Sequence, residues 1–261
     1  MKLDEAGIYD HYSKEAEKLG LSKNCTMPDD GVKELEIKII EKYIDKKMKL
    51  MERPLDILEV GCGNGFTASQ LLKYSRKFIA VDYNEKMIDI SKTRNLSIEF
   101  RKESATSLCF HNEFDIVYTE RCLMNLISWG NQKKALHKIR DSLKVGGCLI
   151  MIETFVSGWE MLNSSRNILG LKDIPIPSKN TPFNDKEFEE FIPALFSKSD
   201  LIENNDENFL SSYYYGARIL YPSLIEGFKN LEYNNPFIRL FKYLPPILNY
   251  SPVQLRVLEK L

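Results

Sequence analysis

Glu59, Gly61, Gly63 and Gly65 occupy alternate positions where the apolar run Leu55-Asp56-Ile57-Leu58-Glu59-Val60 gives out, and Asp82 closes the next such run 21 residues after Gly61. Alternating glycines behind a strand allow a sharp turn and a close approach by a polar ligand. A helix begun by Phe66-Thr67-Ala68-Ser69-Gln70-Leu71-Leu72 would aim its first N–H groups at that ligand. The spacing sorts the ligand classes. A phosphate-cradling loop would end Gly-Lys-Ser/Thr, whereas this one ends Gly65-Phe66-Thr67. The dinucleotide fingerprint needs glycine at position 66, where Phe66 obstructs a pyrophosphate. What remains is a nucleoside-like ligand whose vicinal ribose hydroxyls are held by a strand-end carboxylate, Asp82.

Groups able to act on a second substrate are few. The histidines are His11, His111 and His137. His137 falls on the outer side of a helix and His111 in a loop far from the mouth of an open sheet, so both read as structural. His11 lies in an aromatic N-terminal segment and is a candidate base; Glu153, ending a strand at the substrate edge, is the carboxylate alternative. Arg121, after the fourth strand, and Arg218, after Tyr213-Tyr214-Tyr215, offer forks for a phosphate or carboxylate. The tyrosine run also reads as a buried strand. No spacing of His, Cys, Asp or Glu suggests a metal site.

The elements that must position these groups alternate. Short apolar runs at 55–60, 78–82, 96–100, 114–119 and 148–152 are separated by helical patterns, which means βαβ units and a parallel sheet. A helix at 32–50 precedes them, with Leu35, Ile39, Ile40, Tyr43, Ile44 and Met48 on one face. The helix carrying Ala135, Leu136, Ile139 and Leu143 is expected to stop at Gly146-Gly147. Beyond residue 153 the rhythm loosens. A helix near 185–192, capped by Asn184, a sixth strand within 196–202 and a last strand at 253–258 frame a long connection.

With 36 Lys+Arg against 37 Asp+Glu, nothing global advertises a nucleic acid or an anionic membrane as partner. Five scattered cysteines without a C-x-x-C pair read as reduced thiols. No apolar run approaches a membrane span and no signal region opens the chain, so a cytoplasmic location is expected.

The chain resembles the class I S-adenosylmethionine-dependent methyltransferases. Ile57 to Gly65 matches the family's first motif, and Val81-Asp82 followed by Met87-Ile88 its second. Glu103 to Phe110 with Phe114-Asp115-Ile116-Val117, and Leu143-Lys144-Val145-Gly146-Gly147, resemble two later ones, so that the likeness covers roughly residues 30 to 155. It implies a doubly wound, Rossmann-like α/β fold with a seven-stranded, mostly parallel sheet, and S-adenosylmethionine as cofactor. Glu59, Gly61, Cys62 and Gly63 would line its methionine part, Asp82 its ribose, Tyr83 and Met87 the faces of adenine, Ser104 and Ala105 the adenine edge, and Glu120 the amino group. Ser104 stands where the family commonly has aspartate. Residues 1–53 would form a helical lid and 54–261 the methyltransferase domain, with 157–182 and 206–250 as cap insertions. Transfer to an oxygen of a small polar molecule, such as a saccharide or a cell-surface polysaccharide precursor, is the leading expectation, with His11, Glu153, Arg121 and Arg218 as its catalytic candidates. A nucleic-acid methyltransferase is the weaker enzyme reading, because Thr119-Glu120-Arg121-Cys122 replaces the motif that presents a flipped base. A cofactor-binding sensor without turnover is the reading from another class.

Overall fold

The computed structural model describes residues 2–203, 205–225 and 235–261. Seven strands form one sheet: β1 (Leu55–Val60), β2 (Ser75–Asp82), β3 (Glu99–Lys102), β4 (Phe114–Glu120), β5 (Leu143–Thr154), β6 (Phe196–Lys198) and β7 (Val253–Lys260), in the order β3-β2-β1-β4-β5-β7-β6. The first five pair in parallel, while β7 runs antiparallel to β5 and to β6. Strand order reverses at β1 and β4, where open α/β sheets leave a crevice beyond the carboxyl ends of the strands.

Central strands are apolar throughout because helices cover both faces. Ile57, Ile116 and Ile150 meet one helical layer; their neighbours Leu58, Val117 and Leu149 meet the other. The first layer contains α2 (Asp30–Met51), whose Ile40, Tyr43 and Ile44 are fully buried, with α3 (Phe66–Leu71) and α4 (Glu85–Lys92). The second contains α5 (Trp129–Ser142) and α7 (Asp185–Phe191), the latter capped by Asn184 as its sequence announces. Helix α1 (Glu5–Leu19) rests on α4 and is capped by Asp4. Only α1 of the 1–53 segment therefore lies outside the sandwich, since α2 is one of its layers.

Two local readings are corrected. Helix α5 ends at Ser142, four residues before Gly146, because Leu143 is already drawn into pairing with Phe114. The register then shifts before Ile116 meets Cys148, and Gly146, at φ +71°, turns within that irregularity. The tyrosine run is helical rather than extended: α8 (Ser211–Tyr214) passes into a π-helical turn, Tyr215–Leu220, and then α9 (Tyr221–Leu224). Of the 157–182 insertion, residues up to Ile168 belong to α6 (Val156–Ile168). Of the 206–250 insertion, residues 226–234 lie outside the described residues, and α10 (Pro236–Leu240) follows them. Among the described residues no helix is long and apolar enough to cross a membrane.

Candidate active site

A cleft of about 220 Å³ opens beyond the carboxyl ends of β1, β2 and β4. Its floor is the glycine turn. Gly61 adopts φ +83°, and a side chain there would run into Cys122, so glycine is required on both counts. The Gly61 and Cys62 N–H groups both donate to the Val81 carbonyl, at 2.8 and 2.9 Å, which ties the turn to the end of β2. Asp82 Oδ2 accepts the Gly63 N–H at 2.9 Å and Oδ1 the Asn84 N–H at 2.8 Å. Each carboxylate oxygen thus keeps a second lone pair. Desolvation raises the Asp82 carboxyl, opposed by the N–H groups of Asn84, Gly63 and Tyr83.

A buried group of charges stands beside the turn. Glu120 accepts both Lys33 Nζ contacts, at 2.8 and 2.9 Å, and the Thr67 hydroxyl at 2.6 Å. Arg121 pairs with Glu36 at 2.8 Å. Burial would raise both carboxyls; beside Lys33 and Arg121 the balance holds Glu120 ionised and pushes Glu36 up, the two sharing one negative charge more easily than two. Glu59, almost fully buried, has one carboxylate oxygen without a hydrogen-bond partner. Burial and the nearby Glu120 push its carboxyl up to about 8.

The opposite wall comes from distant parts of the chain: Glu5, Ile8 and Tyr12 of α1, Thr26, and Asn125, Leu126 and Ile127 of the loop after β4. Arg121, which enters that loop, holds φ +54°, a strained conformation for a non-glycine residue.

Residues 57–147 match the family model described as a methyltransferase domain. The fold resembles the N-methyltransferase NodS from Bradyrhizobium japonicum, solved with S-adenosylhomocysteine, at a TM-score of 0.50 with 14% identity, over 73% of this chain and 89% of that one. The sequence match is thus to a methyltransferase domain over residues 57–147, and the structural likeness is one of fold. Two curated relatives match part of the chain in sequence. N-demethylindolmycin N-methyltransferase from Streptomyces griseus is 30% identical over 103 residues, 38% of this chain and 44% of that protein. Malonyl-[acyl-carrier protein] O-methyltransferase from Bacillus cereus is 31% identical over 98 residues, 36% of this chain and 35% of that protein. The matched stretches span less than half the length of either relative.

The cleft fits S-adenosylmethionine on its own chemistry. Two singly bonded oxygens on Asp82 would suit vicinal hydroxyls, and the orphaned oxygen of Glu59 would suit an ammonium group. Of the residues singled out in the sequence, Glu59, Gly61, Cys62, Gly63, Asp82 and Tyr83 line it, as do Met87, Ser104, Ala105, Glu120 and Arg121.

Three catalytic candidates do not line it. Glu153 is fully buried, and its oxygens accept the N–H groups of Cys122, Leu123 and Met124 at 3.1, 2.9 and 3.0 Å. It shapes the loop after β4 and is not a base facing the cleft; burial, opposed by those N–H groups, pushes it up to about 7. Arg218 turns to Asp29, 2.7 Å away, beside the Tyr213 hydroxyl at 2.7 Å on the same carboxylate, which also caps α2. It fastens the 206–250 insertion to the core. His11 sits behind Tyr12, with Nε2 2.7 Å from Lys179 Nζ. Sequence reasoning missed Lys33, because the face of α2 was read from its apolar positions, and missed Tyr12 and Asn125, for which no local pattern exists.

Proposed function

We propose that this protein transfers the methyl group of S-adenosylmethionine to an oxygen of a small polar molecule, of the saccharide or phosphate-bearing precursor class. The observation that carries the reading is the conjunction, in one cleft, of the orphaned Glu59 oxygen and the half-satisfied Asp82 carboxylate on either side of a glycine turn. When bound, the cofactor supplies a sulfonium methyl open to in-line attack. Asp82 holds the ribose and Glu59 the amino group; Gly61, Cys62 and Gly63 admit the methionine part. Tyr83 and Met87 flank adenine, with Ser104 and Ala105 at its edge. Glu120, held ionised by Lys33 and Arg121, fixes the Thr67 hydroxyl at the start of α3.

Charge on sulfur disperses as the methyl moves, so the protein's contribution is positioning. Polar groups of Tyr12, Arg121 and Asn125 form the wall where the acceptor docks, with Glu5, Ile8 and Tyr12 contributed by α1. An acceptor oxygen that is already anionic needs no base, whereas a hydroxyl would need one. The test is release of S-adenosylhomocysteine in the presence of a panel of sugar nucleotides, sugar phosphates and hydroxy acids. Turnover with one class supports methyl transfer. Tight S-adenosylmethionine binding without turnover across the panel would leave a binding module.

A further inference from the structure

We infer that seating of the cofactor and docking of α1 are one coupled event, transmitted by Asn64, Asn84 and Asn125, which grip α1 and the turn after it from the three loops that form the cleft. The inference rests on S-adenosylmethionine as the ligand of the cleft and concerns how the protein closes around it.

The first two asparagines are used in the same way. Asn64, in the glycine turn after β1, donates both Nδ2 hydrogens to the turn after α1, to the Gly20 carbonyl at 2.7 Å and the Ser22 carbonyl at 2.8 Å. Its Oδ1 accepts the Phe66 N–H at 3.2 Å, at the start of α3. Asn84, after β2, donates to the Tyr9 carbonyl and the Ser13 hydroxyl of α1, both at 2.9 Å, while its Oδ1 accepts the Met87 N–H of α4 at 3.2 Å. Each amide thus spends two donors on the α1 segment and its acceptor on the helix behind the loop. Both side chains are buried, so water cannot readily replace what they lose.

The third grip comes from the loop after β4. Asn125 Nδ2 donates to the Tyr12 hydroxyl at 3.0 Å and to the Arg121 carbonyl at 2.9 Å. Arg94, two residues past the end of α4, adds a tie between the glycine turn and the turn after α1, donating to the carbonyls of Asn64 at 2.7 Å and Leu21 at 2.9 Å.

The ligand acts on these grips through two residues of the cleft. Asp82 accepts the N–H of Gly63, the neighbour of Asn64, and the N–H of Asn84 itself, so a ribose held on that carboxylate steadies both loops at once. Met87 lines the cleft and, with Ala16 and Cys25, forms the small buried cluster on which α1 rests. That cluster is slight beside the core of the sheet, so α1 has little apolar anchorage of its own and depends on bonds from the loops that hold the ligand. Linkage then requires that cofactor binding tighten α1 by the factor by which docked α1 tightens cofactor binding.

The experiment is amide hydrogen exchange of the full chain, read by mass spectrometry with and without saturating S-adenosylhomocysteine. Residues 20–22 do not line the cleft, so protection there reports coupling and not contact with the ligand. Exchange over residues 9–22 should slow at least about fivefold on binding, 20–22 included. Asn84 and Ser13 also stand outside the cleft lining. Asn84→Ser, which keeps a cap for α4 but loses the amide, should speed exchange over 9–22 and raise the S-adenosylhomocysteine dissociation rate at least about fivefold. Ser13→Ala, which removes one partner of that amide and leaves the cofactor loops untouched, should change both in the same direction by about twofold or more. Exchange in β4 and β5 should stay unchanged in each; if Asn84→Ser disturbs it, Ser13→Ala and the protection of 20–22 in the unaltered protein decide. Protection confined to residues 5–12, or dissociation rates unchanged in the folded variants, overturns the coupling. Failure of S-adenosylhomocysteine to bind the unaltered protein would instead overturn the reading of the cleft as a cofactor site.

Discussion

The two ends of the sheet carry the same kind of residue in opposite states. At the amino end, Asp56 of β1 accepts two bonds from Arg76, at 2.8 and 2.7 Å, and Asp115 of β4 accepts two from Arg53, both at 2.9 Å, with Lys144 beside each. Burial would raise the Asp115 carboxyl, but Arg53, the Asp56 N–H and Lys144 outweigh it and bring it down to about 2. Three and five residues further along the same two strands stand Glu59 and Glu120. Glu59 is pushed up by burial and has an oxygen with no partner. One end is complete in itself and holds the strands together. The other is left incomplete at Glu59 alone, since Lys33 and Thr67 answer Glu120, and an unanswered buried carboxylate is what a site for a charged ligand requires.

The sharpest way to break this contrast is Asp82→Ala, which removes the carboxylate proposed to hold the ribose. Affinity for S-adenosylhomocysteine, measured calorimetrically, should fall roughly 100-fold, the worth of a charge-assisted pair of hydrogen bonds. At the amino end, Asp115→Asn should do the reverse. It should cost about 2 kcal/mol of stability in urea unfolding and leave that affinity within about twofold.

pH sharpens the comparison further. Asp115, with its carboxyl lowered in the fold, contributes stability present above ~4 and lost as pH falls toward about 2. Glu59, raised in the fold, contributes stability that is full below ~4 and lost as pH rises through about 8. A bound ammonium favours the ionised carboxylate, so S-adenosylhomocysteine should bind several-fold tighter at pH ~8 than at pH ~6, releasing up to about one proton per site. Calorimetry in buffers of different ionisation enthalpy reads the proton directly. Equal affinity at both pH values, or the same slope in Glu59→Gln, would remove Glu59 from the ammonium's site. The smallest effect expected is from Arg218→Met: a lower melting temperature from loosening Asp29, with S-adenosylhomocysteine affinity unchanged.

Reading the sequence succeeded where chemistry is local. The strand ending at Val60, the three glycines and the strand-end Asp82 lie within one βαβ unit, and their side-chain directions follow from strand and turn geometry alone. It erred where a residue's neighbours come from elsewhere. Glu153 ends β5 beside the cleft, as its position suggested, yet three N–H groups of residues 122–124 claim both oxygens. Arg218 sits in the insertion expected to cap the site, yet a buried N-capping aspartate from α2 captures it.

By itself, then, the sequence determined the sheet, the turn and the side of the cleft that the turn builds, because those residues are placed by covalent proximity and by the period of a strand. Only the tertiary structure decided the opposite wall. Tyr12 and Asn125 meet there through helix docking and loop closure across more than 100 residues, and no local period records which buried charge will be answered.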